Sequence, residues 1–400
     1  MENYTKSSSS FYKSCLRFSL ILTLLFNVLS IHPVQAQDPE KVFPEYIVQE
    51  GDTLLGIANR FNVNLDELLE VNEFRPDMVL YPLMKIKIPG FEGLQGVLST
   101  DYVSLGTSLQ SLSRRSKIEL SQIVRLNYIT SPSELFVGRE LLLTDLDQNE
   151  AIKSSAISIG NSFLELAIKA NCNPWTLSKR NLLNNANYAI PQDSLFIPGD
   201  TSQANAMAIP GIGSISIGNL PLKQGDTYFL TVSSPNPIAV SATLAKASPQ
   251  FTDLGNGTHI AFAGIHALTE PGVYPLNMDF QLSDGSNYRF EQMVIITSGN
   301  YATDPPLYVE ESTIDADNIR AEEAVFKDLT SKITPTQQWQ DQFVAPCQDP
   351  DDITSSFGSR RTYNNDPTIY YHTGLDFGYN KGTEVYATAR GTVVGALPNL

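Results

Sequence analysis

A histidine and an aspartate late in the sequence have the side-chain types and the spacing of a metal-binding pair. His372 and Asp376 lie four positions apart across Gly374, in a run too rich in glycine and β-branched residues to form a stable helix. We therefore expect them on a strand and a turn. A neutral imidazole and a carboxylate both bind zinc, which in catalytic sites takes three protein ligands and a water. The two other histidines outside the N-terminal leader, His259 and His266, fall in an earlier domain, so the pair lacks a third ligand.

Spacing alone leaves open that this is an ordinary surface histidine beside an aspartate. The surrounding runs, taken in order, resemble the start of the lysostaphin-type (LytM-like) zinc endopeptidases of bacterial cell walls. The runs are Ile353-Thr354-Ser355-Ser356-Phe357-Gly358-Ser359-Arg360-Arg361, Tyr371-His372-Thr373-Gly374-Leu375-Asp376-Phe377-Gly378, Gly382-Thr383-Glu384-Val385-Tyr386-Ala387 and Gly391-Thr392-Val393-Val394.

The resemblance implies that His372 and Asp376 are ligands of Zn²⁺. It also implies that a later H-x-H motif supplies the third ligand and a catalytic histidine. We expect these residues beyond Leu400, in a chain truncated at its C-terminus. The sequence given therefore holds no catalytic residue of its own, and we expect it to bind zinc weakly and to be inactive as an enzyme.

The first 36 residues predict a secretory signal peptide, cleaved before Gln37. Three basic residues precede a short apolar run, and a small-x-small site ends the segment at Ala36. A retained membrane anchor is the alternative, but the apolar run is too short to span a bilayer comfortably. We therefore expect a secreted bacterial protein, extracellular or associated with the cell wall, that has no stable membrane insertion after cleavage.

The net charge of −16 becomes more negative once the basic leader is removed. Such a charge argues against nucleic acid or an anionic membrane surface as a partner. Only Cys172 and Cys347 remain in the exported chain. We expect one disulfide between them, two isolated thiols, or a partner for Cys347 beyond Leu400.

Residues 44–90 have the pattern of a small β-α-α-β module. Asp52 is expected to cap a first helix whose apolar face has the spacing i, i+3, i+4, i+7. This segment resembles a LysM module, which binds glycans containing N-acetylglucosamine, such as peptidoglycan. The resemblance places glycan binding on two loops. The first is formed by Gly51, Asp52, Thr53 and Leu54; the second precedes the last strand, where Leu80, Tyr81 and Pro82 replace the usual Val-Gly-Gln.

The same pattern recurs twice with a period of about 55 residues, which predicts three copies of one unit. The period is visible at Gly51, Gly106 and Gly160, and again at Asn72, Asn127 and Asn181. We assign residues 99–145 and 154–199 as degenerate LysM-like modules, with glycan binding less expected than in the first copy; a packed spacer or a groove wall is the alternative role. Trp175 of the third copy is either a sugar-stacking residue or a core residue.

Short alternating strands with turn signals between them predict an immunoglobulin-like β-sandwich over residues 207–300, acting as a spacer. Residues 301–343 follow as a linker with a helix at 313–331, and residues 344–400 as a partial LytM-like peptidase domain. Strands of that domain are expected at 353–357, 368–371, 374–377, 384–388 and 391–396. The fold class is thus multidomain α+β: three LysM-like βααβ modules, an immunoglobulin-like β-sandwich and the N-terminal part of a β-rich peptidase domain.

Two functions fit these expectations. The first is a peptidoglycan-targeting zinc metalloendopeptidase that binds wall glycan through LysM and cleaves peptide crosslinks or stems. The second is a non-catalytic wall-binding scaffold, or an activator of another wall hydrolase. The persistence of His372 and Asp376 favours the first.

Overall fold

The structure, a computed structural model, describes residues 41–145, 151–185, 189–191, 193–200, 204–332, 334, 336–340 and 342–397. The expected signal peptide therefore lies outside the described residues. The chain divides into two compact units, Met1–Gln95 and Gly96–Leu400. Among the helices of the described ranges, none has both the length and the apolar character needed to cross a bilayer.

The first unit contains one strand-helix-helix-strand module. Its elements are β1 (Glu45–Ile47), α1 (Leu54–Phe61), α2 (Leu65–Val71) and β2 (Lys85–Lys87). Strands β1 and β2 pair antiparallel, with Tyr46 opposite Ile86. Helix α1 buries the apolar face that its spacing predicts: Leu54, Ile57, Ala58 and Phe61.

The expected cap of α1 was wrong by one residue. Thr53, not Asp52, is the N-cap, because its hydroxyl accepts a hydrogen bond from the Gly56 amide at 3.0 Å. The Asp52 carboxylate instead accepts from the Gln49 amide at 2.7 Å and from the Tyr46 hydroxyl at 2.8 Å. Threonine and aspartate are both good N-caps, so the sequence alone did not separate the two.

The second unit begins with two further strand-helix-helix-strand segments. The first contains β3 (Val97–Tyr102), α3 (Leu109–Ser116), α4 (Leu120–Leu126) and β4 (Glu140–Asp145). The other contains β5 (Ile152–Ala156), α5 (Phe163–Lys169), α6 (Pro174–Arg180) and β6 (Ser194–Pro198). In each segment the two strands pair antiparallel.

An asparagine at the same position of each strand-helix-helix-strand segment makes the same three hydrogen bonds. The side-chain amide of Asn72 donates to Leu68 O on α2 and to Lys87 O on β2, and its oxygen accepts from the Lys87 amide. Asn127 repeats these three bonds with Ile123 and Leu142. Asn181 repeats them with Leu177 and Phe196. The periodic asparagine therefore joins the end of the second helix to the last strand, which explains its recurrence in the sequence.

Residues 207–297 form two sheets packed on one core. The first sheet has the order β12-β13-β10-β8-β7 and the second the order β11-β14-β15-β9. The core between them includes Tyr228, Leu230, Met278 and Phe280. The strands are β7 (Met207–Ile209), β8 (Gly213–Gly218), β9 (Leu222–Lys223), β10 (Thr227–Ser233), β11 (Ile238–Leu244), β12 (Phe251–Asp253), β13 (Thr258–Gly264), β14 (Gly272–Leu282) and β15 (Asn287–Thr297).

Residues 302–309, here called the strap, pair with the segment that carries His372. The Arg360 amide donates to Ala302 O, the Asp304 amide to Arg360 O and the Leu307 amide to Thr362 O, each at 2.8 or 2.9 Å. The start of the range expected to be a linker is thus bound to the head segment, residues 342–397. Helix α7 (Ala316–Thr330) follows the strap and buries none of its residues.

The head segment contains four short strands in two pairs. Strand β16 (Ile353–Ser355) pairs with β19 (Asp376–Phe377), and β17 (Arg360–Arg361) pairs with β18 (Tyr370–Tyr371). The expected strands at 384–388 and 391–396 are absent from these described residues. Within the described part of the chain, the first of these ranges makes two backbone hydrogen bonds with the segment near Val344, which are too few to form a ladder.

Candidate functional site

Two loops of the first module lie side by side at the end of β1. The Val48 amide donates to Met84 O at 2.8 Å, and the Leu83 amide donates to Val48 O at 2.9 Å. This pairing brings the loop at 49–53 next to the loop at 78–83. Both loops belong to the first unit, and the surface between them is called the groove below.

The four expected glycan-binding residues differ in exposure. Gly51 and Thr53 are exposed, whereas Asp52 is half-buried and its carboxylate is already engaged. Leu54 is buried in the module core, so any effect of Leu54 on binding comes from positioning the loop.

The second loop, on which the resemblance placed glycan binding at Leu80, Tyr81 and Pro82, carries exposed apolar side chains. Val79, Tyr81 and Leu83 are 63%, 65% and 82% exposed. An exposed aromatic ring next to exposed backbone and hydroxyl groups is the type of surface on which the apolar face of a sugar ring stacks. The exposure of Val79 and Leu83 was not predicted from the sequence.

A charged network holds the first loop in shape. Arg60 donates to the Tyr46 hydroxyl at 2.9 Å, and that hydroxyl donates to Asp52. Burial, and secondarily the hydrogen bond to Asp52, raises the pKa of Tyr46 from 10.0 to about 12. The buried Tyr46 hydroxyl therefore holds the first loop in place through its hydrogen bond to Asp52.

The raised pKa predicts a loss of stability at alkaline pH. Above pH 10 the unfolded tyrosine releases its proton while the folded one keeps it, so the folded state loses stability as pH rises toward 12. We expect the first module to lose on the order of 1 kcal/mol between pH 8 and pH 11, measured from urea unfolding. Tyr46→Phe should flatten this dependence, whereas Tyr81→Phe, which changes an exposed phenol of the same unit, should leave it unchanged. Equal slopes in wild type and Tyr46→Phe would contradict the assignment.

The corresponding loops of the other copies differ from one another. Gly106 and Thr107 are half-buried, and Gly106 lies against Met207. Gly160 is exposed, with no atom near the position of a Cβ. Trp175 is 84% exposed, which excludes the core interpretation of this residue. The first loop is therefore covered in the second copy and open in the third.

His372 and Asp376 face each other in the head segment. His372 Nε2 lies 3.2 Å from Asp376 Oδ1, with side chains 12% and 55% exposed. The other ring nitrogen, Nδ1, lies 3.1 Å from Ser356 O and 3.2 Å from Ser355 Oγ. A carbonyl oxygen only accepts hydrogen bonds, so these partners assign the proton to Nδ1. The lone pair of Nε2 then points at a carboxylate.

Either a proton or a metal ion between Nε2 and Oδ1 satisfies both atoms. The 3.2 Å separation matches the roughly 3.3 Å between two ligand atoms of a tetrahedral zinc ion with bonds of about 2.0 Å. A hydrogen bond from Nδ1 to a backbone carbonyl is also the usual support of a zinc-binding histidine. The pair therefore fits zinc. In the described ranges, no group of three histidine, cysteine, aspartate or glutamate side chains is arranged to hold a metal ion.

A series of hydrogen-bonded polar side chains contacts the Nδ1 side of the His372 ring. Arg361 donates to Ser355 Oγ, which lies beside the ring, and donates through Nε to Asp304 of the strap at 3.0 Å. The strap thus reaches the imidazole through two side chains. This support was not predicted, because Asp304 lies far from His372 in the sequence.

The β-sandwich contacts the head segment directly. The buried Gln224 side chain accepts from Arg360 at 3.4 Å and from the Gly299 amide at 3.1 Å, and it donates to Thr269 O at 2.6 Å. The His266 ring meets the edge of Tyr371 at 5.0 Å between centroids. The sandwich expected to be a spacer therefore packs against the residue next to His372.

The two cysteines outside the leader, Cys172 and Cys347, are free thiols and do not form a disulfide with each other.

Comparisons with known structures give weak likenesses. A putative peptidase M23 from Pseudomonas aeruginosa matches with 20% identity and a TM-score of 0.24, over 46% of this chain and 60% of its own. The spore cortex-lytic enzyme SleL of Bacillus cereus matches with 21% identity and a TM-score of 0.14, over 32% and 29%. The corresponding enzyme of Bacillus megaterium matches with 18% identity and a TM-score of 0.20, over 33% and 30%. The chain therefore spans less than two thirds of each of these structures.

No curated protein matches the chain. At the level of families, residues 46–89 and 103–144 each match the LysM domain. These ranges coincide with the first two strand-helix-helix-strand segments of the structure. The chain therefore carries two LysM domains, one in each compact unit.

Proposed function

We propose that this protein is a secreted, peptidoglycan-targeting protein whose head segment is part of a zinc metalloendopeptidase centre for peptide crosslinks or stems. LysM domains bind glycans that contain N-acetylglucosamine, such as peptidoglycan, and occur in cell-wall-associated or extracellular proteins. The observation that carries the metal centre is the pair of facing acceptors, His372 Nε2 and Asp376 Oδ1.

Glycan binding is assigned to the groove of the first LysM domain. Gly51 and Thr53 offer exposed backbone and hydroxyl groups on one side, and Tyr81 and Leu83 offer exposed apolar surface on the other. Precisely placed polar groups next to an apolar wall give a binding site both orientation and area. Asp52 acts through the loop that its carboxylate holds.

In the head segment, His372 and Asp376 supply two of the ligands that a zinc ion needs. When bound, zinc activates a water molecule and polarises a peptide carbonyl. Ser356 O holds the imidazole with Nε2 directed at Asp376, and Ser355 and Arg361 keep the ring in place. Tethering by LysM raises the local concentration of wall around this centre without any new contact to the scissile bond.

The alternative is a wall-binding scaffold or activator with an inactive head. It is favoured by the observation that the described residues offer only two ligands at this position. Zinc binding separates the two functions. One specifically bound zinc that depends on His372 supports the peptidase, whereas retention on cell walls with no specific zinc supports the scaffold.

The glycan groove is tested by Tyr81→Ala in the full chain. We expect its affinity for purified peptidoglycan, measured by co-sedimentation, to fall about five-fold, because one stacked ring contributes about 1 kcal/mol. Tyr386→Ala, which removes an exposed tyrosine of the head segment, is the matched control and should bind as wild type does. Undiminished binding by Tyr81→Ala would place the site elsewhere.

A further inference from the structure

The two loops of the second LysM domain both contact strand β15 of the sandwich. The first loop, residues 103–108, corresponds to the glycan loop of the first domain, and the second, residues 127–139, precedes β4. The contacts of both loops are with residues 292–295 of β15. The surface of this domain that corresponds to the two glycan loops of the first domain is therefore covered by the chain itself.

The first loop is fixed by a side chain of β15. The Gly106 amide donates to the side-chain oxygen of Gln292 at 2.8 Å. A Cβ at Gly106 would lie 2.4 Å from Met207 Cγ, so the backbone here approaches its neighbour as closely as a glycine allows. Leu105, in the same loop, is buried in the sandwich core.

The second loop is fixed by the backbone of β15. The Val137 amide donates to Met293 O, and the Ile295 amide donates to Val137 O, both at 2.9 Å. Val137 is fully buried and belongs to the same core as Leu105. It covers part of the edge of β15 that β9 leaves free. This contact satisfies backbone groups that a bare sheet edge would expose.

The first LysM domain shows the contrast. Gly51 has no neighbouring atom at its Cβ position, and Pro82, which corresponds to Val137, is exposed. Proline also lacks the amide hydrogen that Val137 donates to the sandwich. The same fold therefore presents an open groove in one copy and a covered surface in the other.

We infer that the second LysM domain is a docking module, which binds strand β15 of its own chain at the surface that would otherwise take glycan. It contributes no glycan affinity and joins the sandwich to the LysM part of the second unit. The contacts with β15 are observed. The loss of glycan binding by this domain rests on the function proposed for the first domain.

Hydrogen exchange resolved to single amides in the full chain tests this inference, with and without a hexamer of N-acetylglucosamine. We expect the Gly106 and Val137 amides to be protected and to change less than two-fold on adding the sugar, while amides at 49–53 and 79–83 slow down. Gln292→Ala should speed exchange at Gly106 at least ten-fold. Gln281→Ala, an exposed glutamine of the same sheet, is the control and should leave it unchanged.

The outcomes are separable. Slower exchange at 103–108 when the sugar is added, or unprotected Gly106 and Val137 amides in the wild-type chain, would overturn the docking role. If the sugar changes no loop at all, the proposed glycan function fails. Protection at Val137, together with protection at Gly106 that Gln292→Ala relieves, would then still support the contact with β15.

Discussion

His372→Ala is expected to weaken zinc binding by the full chain by at least about 100-fold. Loss of a direct ligand should cost no less than loss of a supporting residue, for which 10- to 100-fold is typical. It also leaves Asp376, a half-exposed carboxylate, as the only described ligand at this position. The measurement is zinc affinity and stoichiometry in competition with a weak chromophoric chelator, with one weakly bound zinc per chain expected for wild type.

Two variants sharpen this experiment. Asp376→Asn keeps the size of the side chain but removes its charge, so it should weaken zinc binding in the same direction as His372→Ala. His259→Ala removes a histidine of strand β13 and should bind as wild type does. Wild type with no specific zinc, or a bound zinc indifferent to His372, would refute the metal centre and leave the scaffold as the function.

Asn181→Ala is expected to destabilise the third strand-helix-helix-strand segment by about 3 kcal/mol. Asn181 is fully buried, and its side chain satisfies two carbonyls and one amide. Its removal leaves these backbone groups unpaired, at about 1 kcal/mol or more each. Amide exchange on α6 and β6 should therefore become roughly 100-fold faster, since 1.4 kcal/mol corresponds to a factor of ten.

Asn161→Ala is the matched control, because it removes an exposed asparagine from the same segment. It should change exchange on α6 and β6 by less than two-fold. Asn181→Asp should be at least as harmful as Asn181→Ala, because a carboxylate would face two carbonyl oxygens in a buried site. If Asn181→Ala exchanges as wild type does, the asparagine does not hold helix to strand.

Local pattern predicted the repeated modules well. The spacing of Leu54, Ile57, Ala58 and Phe61 predicted both the helix and its buried face. The period of Gly51 and Asn72 predicted where the other copies lie. These features are visible in sequence because each depends on residues within one module, where helix geometry and turn geometry fix which side chains meet.

Contacts between distant segments left no comparable signal. Val137 and Val294 meet across a separation of more than 150 residues, and neither has a side chain that marks a docking surface. The support of His372 by Asp304 was missed for the same reason. The strand expected at 384–388 is absent for a different reason. Its sequence does alternate polar and apolar residues, but a strand also needs a partner edge, which the described residues do not provide.

The strap also determines how the protein bears a pulling force. It runs parallel to the chain at 360–363, so tension between the sandwich and the far end of the head segment acts along the strap. The hydrogen bonds from Arg360, Asp304 and Leu307 then lie across the direction of load and resist it together instead of opening one at a time. The head segment therefore stays in place under such tension, while the exposed helix α7 after the strap carries none of it.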